Sequence, residues 1–313
     1  MRPLISVVMP TYNGERFVSA ALESVRQQSS EDIEVVVVDD GSSDNTRELV
    51  RQFESTLRIR LLTPTRIGNW VAVTNLALQE AQGEWASFLH QDDLWLPGRI
   101  DRVRGELGRA KGKMVLHNAM FVDPKGRCLG PWTCPLPGGD VSSREFVERL
   151  LVQNFVAIPS PMFSREAVLK SGGLDESLWF SADWDLWLRL GAMGPIRFIP
   201  EKLSGFRVHP ASQTAARELS PGDWEKQLTT VLDRHFSAAI PMSNRDLVRK
   251  VATVSVFVNS ALASGSRGQG TRPLRVLAKL LSLGPSGLRR YFRDSRIVER
   301  VRARMKVLAF SRS

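Results

Sequence analysis

The feature that most constrains this chain is a rhythm in its first hundred residues. Leu4–Met9 (LISVVM), Ile33–Val38 (IEVVVV), Leu57–Leu62 and Glu84–Leu89 are short runs dominated by apolar and β-branched residues. Between them lie stretches with helical apolar spacing: Phe17, Ala20, Ala21, Leu22 and Val25, then Leu49, Val50 and Phe53, then Val73, Leu76, Ala77 and Leu78. Apolar runs without polar alternation suit strands covered on both faces. Strand and helix in alternation predict an α/β fold, a mostly parallel sheet flanked by helices. In such sheets ligands bind beyond the carboxyl ends of the strands. The first, second and fourth runs end there in Thr11-Tyr12-Asn13, Asp39-Asp40-Gly41-Ser42 and His90-Gln91-Asp92-Asp93, the most polar points of the region.

The middle of the chain is less regular. Met114–Val122 reads as two short strands, Asp123–Asp140 as a Gly- and Pro-rich loop with some extended structure, and Ser142–Glu145 as a helix start. Ser160–Phe163 reads as a strand, Asp183–Met193 as an amphipathic helix, and Arg197–Ile199 and Ser204–Val208 as edge strands. Helical spacing takes over after Pro221-Gly222, so the expected division is residues 1–218 and 219–313.

Charge separates the same two regions. The net charge is +10, yet residues 1–244 hold 27 basic and 30 acidic residues, while 245–313 hold 16 basic and only 3 acidic. The last stretch interleaves Arg289, Arg290, Arg293, Arg296, Arg300, Arg302, Arg304 and Lys306 with Leu288, Tyr291, Phe292, Ile297, Val298, Val301 and Met305. That pattern either lies on an anionic membrane or packs on the first region with a solvated basic face. An apolar content of 42% excludes wholesale disorder, and no run of 18 apolar residues predicts a membrane span. No secretory leader is expected at Met1–Pro10. The spacing of Cys128 and Cys134 is no CxxC pair, and both are expected to be reduced.

Adjacent carboxylates after a buried strand raise each other's pKa or bind a cation. Asp92 and Asp93 have no Lys or Arg in sequence before Arg99, so a hard divalent cation shared with diphosphate oxygens would neutralise them. The plainer reading of each Asp is a cap or a turn.

Val7–Gly14, Val36–Asp44 and Gly83–Asp93, in that order and spacing, resemble the family 2 glycosyltransferases, which are inverting enzymes of the GT-A fold. The resemblance spans roughly residues 4–210. It implies a nucleotide-sugar-binding GT-A catalytic domain and a basic helical C-terminal region. It implies that Pro10, Thr11 and Asn13 line the nucleotide pocket, that Asp39 or Asp40 bonds the base or ribose, and that Asn69 lies near the nucleotide. Asp92 and Asp93 fall on the metal-binding Asp-x-Asp element, with His90 in place of its first Asp. Ser181–Leu190 resembles the segment carrying the catalytic base: Asp183 matches the base and Ala182 stands where the family has Glu. Gly172–Glu176 supports that alignment, and Asp185 is expected to support the helix's first turn. The segment Arg207–Ser212 implies that His209 completes a metal shell and that Arg207 neutralises the leaving diphosphate. Trp95 and Trp179 are candidates to stack on an acceptor sugar.

The resulting expectation is a cytoplasmic enzyme, peripheral at the inner face of a membrane. It would use Mg²⁺ or Mn²⁺ to move a sugar from a nucleoside diphosphate sugar to a saccharide or lipid-linked glycan, in bacterial surface polysaccharide synthesis. Three rivals have discriminating signs. A sugar nucleotidyltransferase would carry a Gly-rich phosphate loop after the first strand, where Pro-Thr-Tyr-Asn-Gly stands. A catalytically degenerate binding protein is suggested by His90 and Ala182. A nucleic-acid partner, suggested by charge alone, is not expected.

Overall fold

The computed structural model describes residues 3–209, 221–238, 242–266 and 273–310. The expected alternation is present: β1 (Ile5–Thr11), α1 (Val18–Arg26), β2 (Ile33–Asp39), α2 (Thr46–Arg51), β3 (Arg58–Leu62), α3 (Trp70–Glu80) and β4 (Trp85–Phe88). Next come β5 (Leu94–Trp95), α4 (Arg99–Leu107), β6 (Met114–Val122), β7 (Cys128–Trp132), β8 (Gly139–Val141), α5 (Ser143–Val152), β9 (Met162–Ser164), α6 (Arg165–Lys170), α7 (Ala182–Ala192) and β10 (Ile196–Arg207). Among the described residues five helices follow: α8 (Pro221–Ser237), α9 (Arg245–Ser266), α10 (Pro273–Leu281), α11 (Gly284–Ser295) and α12 (Ile297–Phe310).

All ten strands form one sheet, ordered β3-β2-β1-β4-β9-β6-β10-β5, with β7 on β6 and β8 on β10. β3, β2, β1 and β4 are mutually parallel, as the buried runs predict. Beyond β4 the sheet is mixed, because β9 enters antiparallel between β4 and β6. The chain leaves β1 in one direction to β2 and β3, then returns to β1's other side as β4, so the switch point lies between β1 and β4. Pro10 ends the β1–β4 ladder there. Val8 accepts from Leu89 N at 3.0 Å, and the next β1 residue facing β4 is Pro10, which has no N–H for the following rung. The strands part, and the crevice opens at their carboxyl ends.

Two expected breaks are bridged. Met114–Val122 is one continuous strand. Arg197–Ile199 and Ser204–Arg207 join into the single strand β10, which bulges out at the exposed Pro200, Glu201 and Lys202. β10 is no edge strand, since it lies between β6 and β5.

The sheet separates two cores. Val7, Met9, Val35 and Val37 face α1, α2 and α4, while Val8, Val36 and Phe88 face α3, α5 and α7. Leu228, Val231, Leu232 and Phe236 of α8 and Val248, Ala252 and Val256 of α9 join the second core beside Trp184 and Trp187. The division expected at residue 218 lies outside the described residues, but the helices after it share their packing with the sheet. The charge asymmetry is thus partly internal. Arg290 pairs with Glu148 at 2.8 Å and Arg149 with Asp294 at 3.3 Å, fixing α11 to α5. Among the described residues no helix is long and apolar enough to cross a membrane. Both cysteines are free, Cys128 exposed and Cys134 buried.

Candidate active site

The loops at the switch point are tied to one another by side chains from the polar clusters. Thr11 Oγ1 and the backbone N of Ser42 donate to Asp39, at 3.0 and 2.9 Å, and Arg47 lies 3.4 Å away. Asp40 accepts from the backbone N–H groups of Ile67 and Gly68 at 2.5 and 2.9 Å, pinning the loop before α3. Asn13 takes a left-handed backbone (φ 46), which Asn tolerates. Its N–H donates to Ser42 Oγ at 2.8 Å, and its Oδ1 accepts from Ser43 N at 2.9 Å. Asn69 caps α3 by accepting from Val71 N at 3.0 Å, and its amide donates to the Glu176 carbonyl at 3.2 Å. Pro10, Thr11, Asn13, Asp39, Asp40 and Asn69 are therefore brought together, and their polar groups shape the crevice walls by bonding to the protein. At the rim, the Arg66 guanidinium lies 4.5 Å over the Tyr12 ring.

Gln91, which carries no role in the sequence reading, holds the first and fourth strand ends together. Its amide accepts from Tyr12 N at 2.9 Å and donates to Tyr12 O at 3.1 Å, imitating a backbone rung where the ladder has stopped. Gly14 makes room for it, since a Cβ there would sit 2.2 Å from Gln91 Oε1. Gly14→Ala must break this bridge and is expected to cost about 1–3 kcal/mol through the unmade hydrogen bonds. Thermal unfolding checks it, with an unchanged midpoint counting against the bridge.

The carboxylate pair faces β10. Asp92 Oδ2 lies 2.9 Å from His209 Nε2, and Asp93 Oδ1 accepts from Arg207 N at 2.9 Å. Burial works to raise the Asp92 carboxyl, but the His209 hydrogen bond and the two nearby imidazoles outweigh it and hold it below its ordinary value. Asp93 is pushed well above its ordinary value, by burial first and the Asp92 charge second. Asp93 Oδ2 and His209 Nδ1 are buried without a partner. Hard oxygen donors, one of them orphaned, beside an imidazole fit a divalent cation whose shell the substrate would complete. The protein alone supplies an incomplete set, for among the described residues no ready cluster of three or more metal ligands occurs.

Arg207 departs from its expected place. It is 3% exposed, and its guanidinium donates to the carbonyls of Asp92 (2.6 Å), Asp123 (2.9 Å) and Pro124 (2.9 Å). Three of its five N–H groups thus anchor the carboxylate loop to the β6–β7 turn. Trp95 departs as well: it is buried beneath Arg99, whose guanidinium lies 4.0 Å over its ring, and cannot reach an acceptor. His90 packs edge-on against Trp70 at 5.3 Å, and burial lowers its pKa against the raising effect of Asp92.

Trp70 also donates to the Trp179 carbonyl at 2.9 Å. With the Asn69–Glu176 bond, this fixes the segment leading into α7 beside the same loops. Asp183 is the second residue of α7 and half-buried. Asn154 Nδ2 donates to its Oδ2 at 3.0 Å and Trp184 N to its Oδ1 at 2.7 Å. Burial outweighs these bonds and pushes the carboxyl up to about 6. Asn154, the second residue without a sequence signal, contacts Asp183 across 29 positions. Asp183 is not the N-cap, which falls on Ser181. Asp185 differs completely: it is fully buried and paired with Arg189 (2.8 Å), Arg234 (2.9 Å) and His235 (2.9 Å). A cavity of about 200 Å³ lies apart from all these residues, between α8, α9 and α10, and takes no part in the site.

A carboxylate-lined crevice at the switch point, beyond the ends of the parallel strands β1 and β4, is where an α/β protein of this topology binds a ligand. Residues 6–127 match the family described as glycosyl transferase family 2. An uncharacterized glycosyltransferase of Rickettsia typhi is 28% identical over 68% of this chain and 66% of its own length. A UDP-glucose:α-D-GlcNAc-diphosphoundecaprenol β-1,3-glucosyltransferase of Escherichia coli is 40% identical over 31% of this chain and 38% of its own. This chain thus spans just under two thirds of the Rickettsia typhi relative, and 36% of another from Rickettsia felis. In fold it is similar to residues 1–349 of Staphylococcus aureus TarS with UDP-GlcNAc bound: TM-score 0.69, 17% identity, covering 100% of this chain and 92% of that one. A mannosyltransferase of Pyrobaculum calidifontis, in complex with GDP-mannose and Mn²⁺, gives a TM-score of 0.53 at 19% identity, covering 98% of this chain and 88% of that one. Residues 6–127 thus match the family 2 glycosyltransferase model, and the described chain is similar in fold to solved GT-A glycosyltransferases.

Proposed function

We propose that this enzyme is an inverting transferase that moves a sugar from a nucleoside diphosphate sugar to a hydroxyl of a saccharide or lipid-linked glycan. The observation that carries the reading is Asp183, a carboxylate at a helix start beside the crevice, raised by burial and held by Asn154. A base of pKa about 6 is ionised at neutral pH and still takes a proton readily. Asp183 removes the proton of the acceptor hydroxyl as that oxygen attacks the anomeric carbon. The new carbon–oxygen bond forms as the bond to the diphosphate breaks on the opposite face, so configuration inverts and nucleoside diphosphate leaves.

Pro10, Thr11, Asn13, Asp39, Asp40 and Asn69 frame the nucleotide pocket, Asp39 and Asp40 chiefly by fixing its loops. Asp92, Asp93 and His209 would hold Mg²⁺ or Mn²⁺, and a cation there supplies charge neutralisation for the leaving diphosphate. Arg207 positions that loop. The undecaprenol-linked substrate of the Escherichia coli relative favours a lipid-linked acceptor, hence work at the cytoplasmic face of a membrane in surface polysaccharide synthesis. The basic C-terminal helices would meet the anionic surface.

The test is nucleoside diphosphate release by the purified protein from a panel of nucleotide sugars, with Mg²⁺ or Mn²⁺ and after chelation. Release from one donor, lost on chelation and restored by metal, is expected. Donor binding without turnover would favour the degenerate reading, and pyrophosphate as product the nucleotidyltransferase. Release indifferent to chelator would remove the metal assignment.

A further inference from the structure

α10 is strongly amphipathic. Val276 and Leu280 point inward and join a small core with Val251, Val254, Val258, Leu283 and Tyr291. Leu274, Leu277 and Leu281 point the other way and are 80%, 54% and 63% exposed. Spaced by three and four residues, they form one stripe along the outer face. A stripe of leucines on a solvent face is costly for a protein that leaves it bare. The exposed charged side chains nearby are basic: Arg275 and Lys279 on the polar side of the same helix, and Arg289 and Arg293 on α11, where Phe292 is 51% exposed. Neither α10 nor α11 exposes an acidic side chain. Asp294, the one acid in these helices, is fully buried and paired with Arg149, Arg290 and Arg293.

An exposed leucine stripe on a helix whose exposed polar side chains, Arg275 and Lys279, are cationic has one fitting counterpart. A water-soluble acidic protein would match the charges and leave the leucines in a polar contact. An anionic bilayer takes the leucines among its acyl chains and the arginines and lysines among its phosphates. We infer that α10 is an in-plane membrane-docking helix, with Leu274, Leu277 and Leu281 entering the outer acyl region and Arg275 and Lys279 at the headgroup level. This rests on the reading of the C-terminal helices as membrane-facing. It goes further by naming the inserting residues and by assigning affinity to apolar burial in addition to charge. The inner face of α10 stays on the protein, so docking needs no unfolding.

The experiment is cosedimentation of the full chain with vesicles of phosphatidylcholine containing one third phosphatidylglycerol, and with pure phosphatidylcholine. The wild type is expected to bind the anionic vesicles. The variant Leu277→Gln/Leu281→Gln, which leaves the charge unchanged, is expected to bind at least about tenfold more weakly, at a level near that of burying one leucine. Its melting temperature and donor hydrolysis should not change, since both positions are exposed and remote from the crevice. If the wild type binds and the variant binds equally, charge alone docks the protein: this inference falls and the membrane reading stands. If the wild type does not bind, both fall. A wild-type dimer that the leucine variant converts to a monomer, without vesicle binding, would assign the stripe to a second copy of the chain and overturn the proposal.

Discussion

Replacing Asp183 with Asn is expected to lower turnover by about a thousandfold, within the range typical of a lost general base, while leaving the fold at least as stable. The two expectations have one cause. Burial holds the Asp183 carboxyl near 6, against an ordinary value of 3.8, despite the bonds from Asn154 and Trp184 N. The folded state therefore binds this proton more tightly than the unfolded chain does. Its contribution to stability is complete below the unfolded value and is lost as pH rises through about 6. A displacement of about two pH units corresponds to about 3 kcal/mol at most, all of it missing at pH 8. Asn keeps the shape and can still accept from Asn154, but has no charge to bury. At pH 8 the variant should melt no lower than the wild type. In the wild type kcat/KM should fall about tenfold per pH unit below about 6, because only the ionised carboxyl takes the acceptor's proton. A variant with near wild-type transfer, or a pH profile flat down to 4.5, would remove Asp183 from the reaction.

Local signals carried most of the fold. The runs that became β1, β2 and β4 are buried on both faces, and that alone requires helices on each side of the sheet, whereas β3 alternates with the exposed Arg58 and Arg60 as an outer strand. What local signals could not carry was pairing between distant segments. β9 lies between β4 and β6 although its three residues, Met162–Ser164, look like any short apolar stretch. Arg197–Ile199 and Ser204–Val208 read as two strands, yet β10 joins them by bulging outward at Pro200, Glu201 and Lys202. The site divides the same way. The polar strand ends marked the crevice because nothing but a ligand or a turn explains Asp pairs after buried strands. Gln91 and Asn154 act through partners 79 and 29 residues away, so no pattern near them in sequence gives a sign. Arg207 shows the limit of a motif: the resemblance of Arg207–Ser212 implies a diphosphate partner, while three of the five N–H donors of the side chain go to backbone carbonyls.

Asp185 is expected to behave as the inverse of its neighbour: Asp185→Asn should cost about 3–5 kcal/mol of stability, the usual loss when one partner of a buried ion cluster is removed. Both carboxylates lie in the first turn of α7, where the helix dipole favours each of them alike. Partners make the difference. Burial works to raise the Asp185 carboxyl, but the His235 hydrogen bond, Arg189 and Arg234 overcome it and hold it down at about 2. The stability this provides is present above the unfolded value of 3.8 and is lost as pH falls towards about 2. Wild-type stability should thus decline across that interval, and the Asn variant, lacking the group, should decline less. Arg234 and His235 belong to α8, so the cluster joins the C-terminal helices to the helix that carries the candidate base. Activity in Asp185→Asn should fall in step with the folded fraction and recover on cooling, with no shift of the pH limb near 6. A stable but inactive variant would mean instead that Asp185 touches the chemistry, and the separation of roles between the two aspartates would be lost.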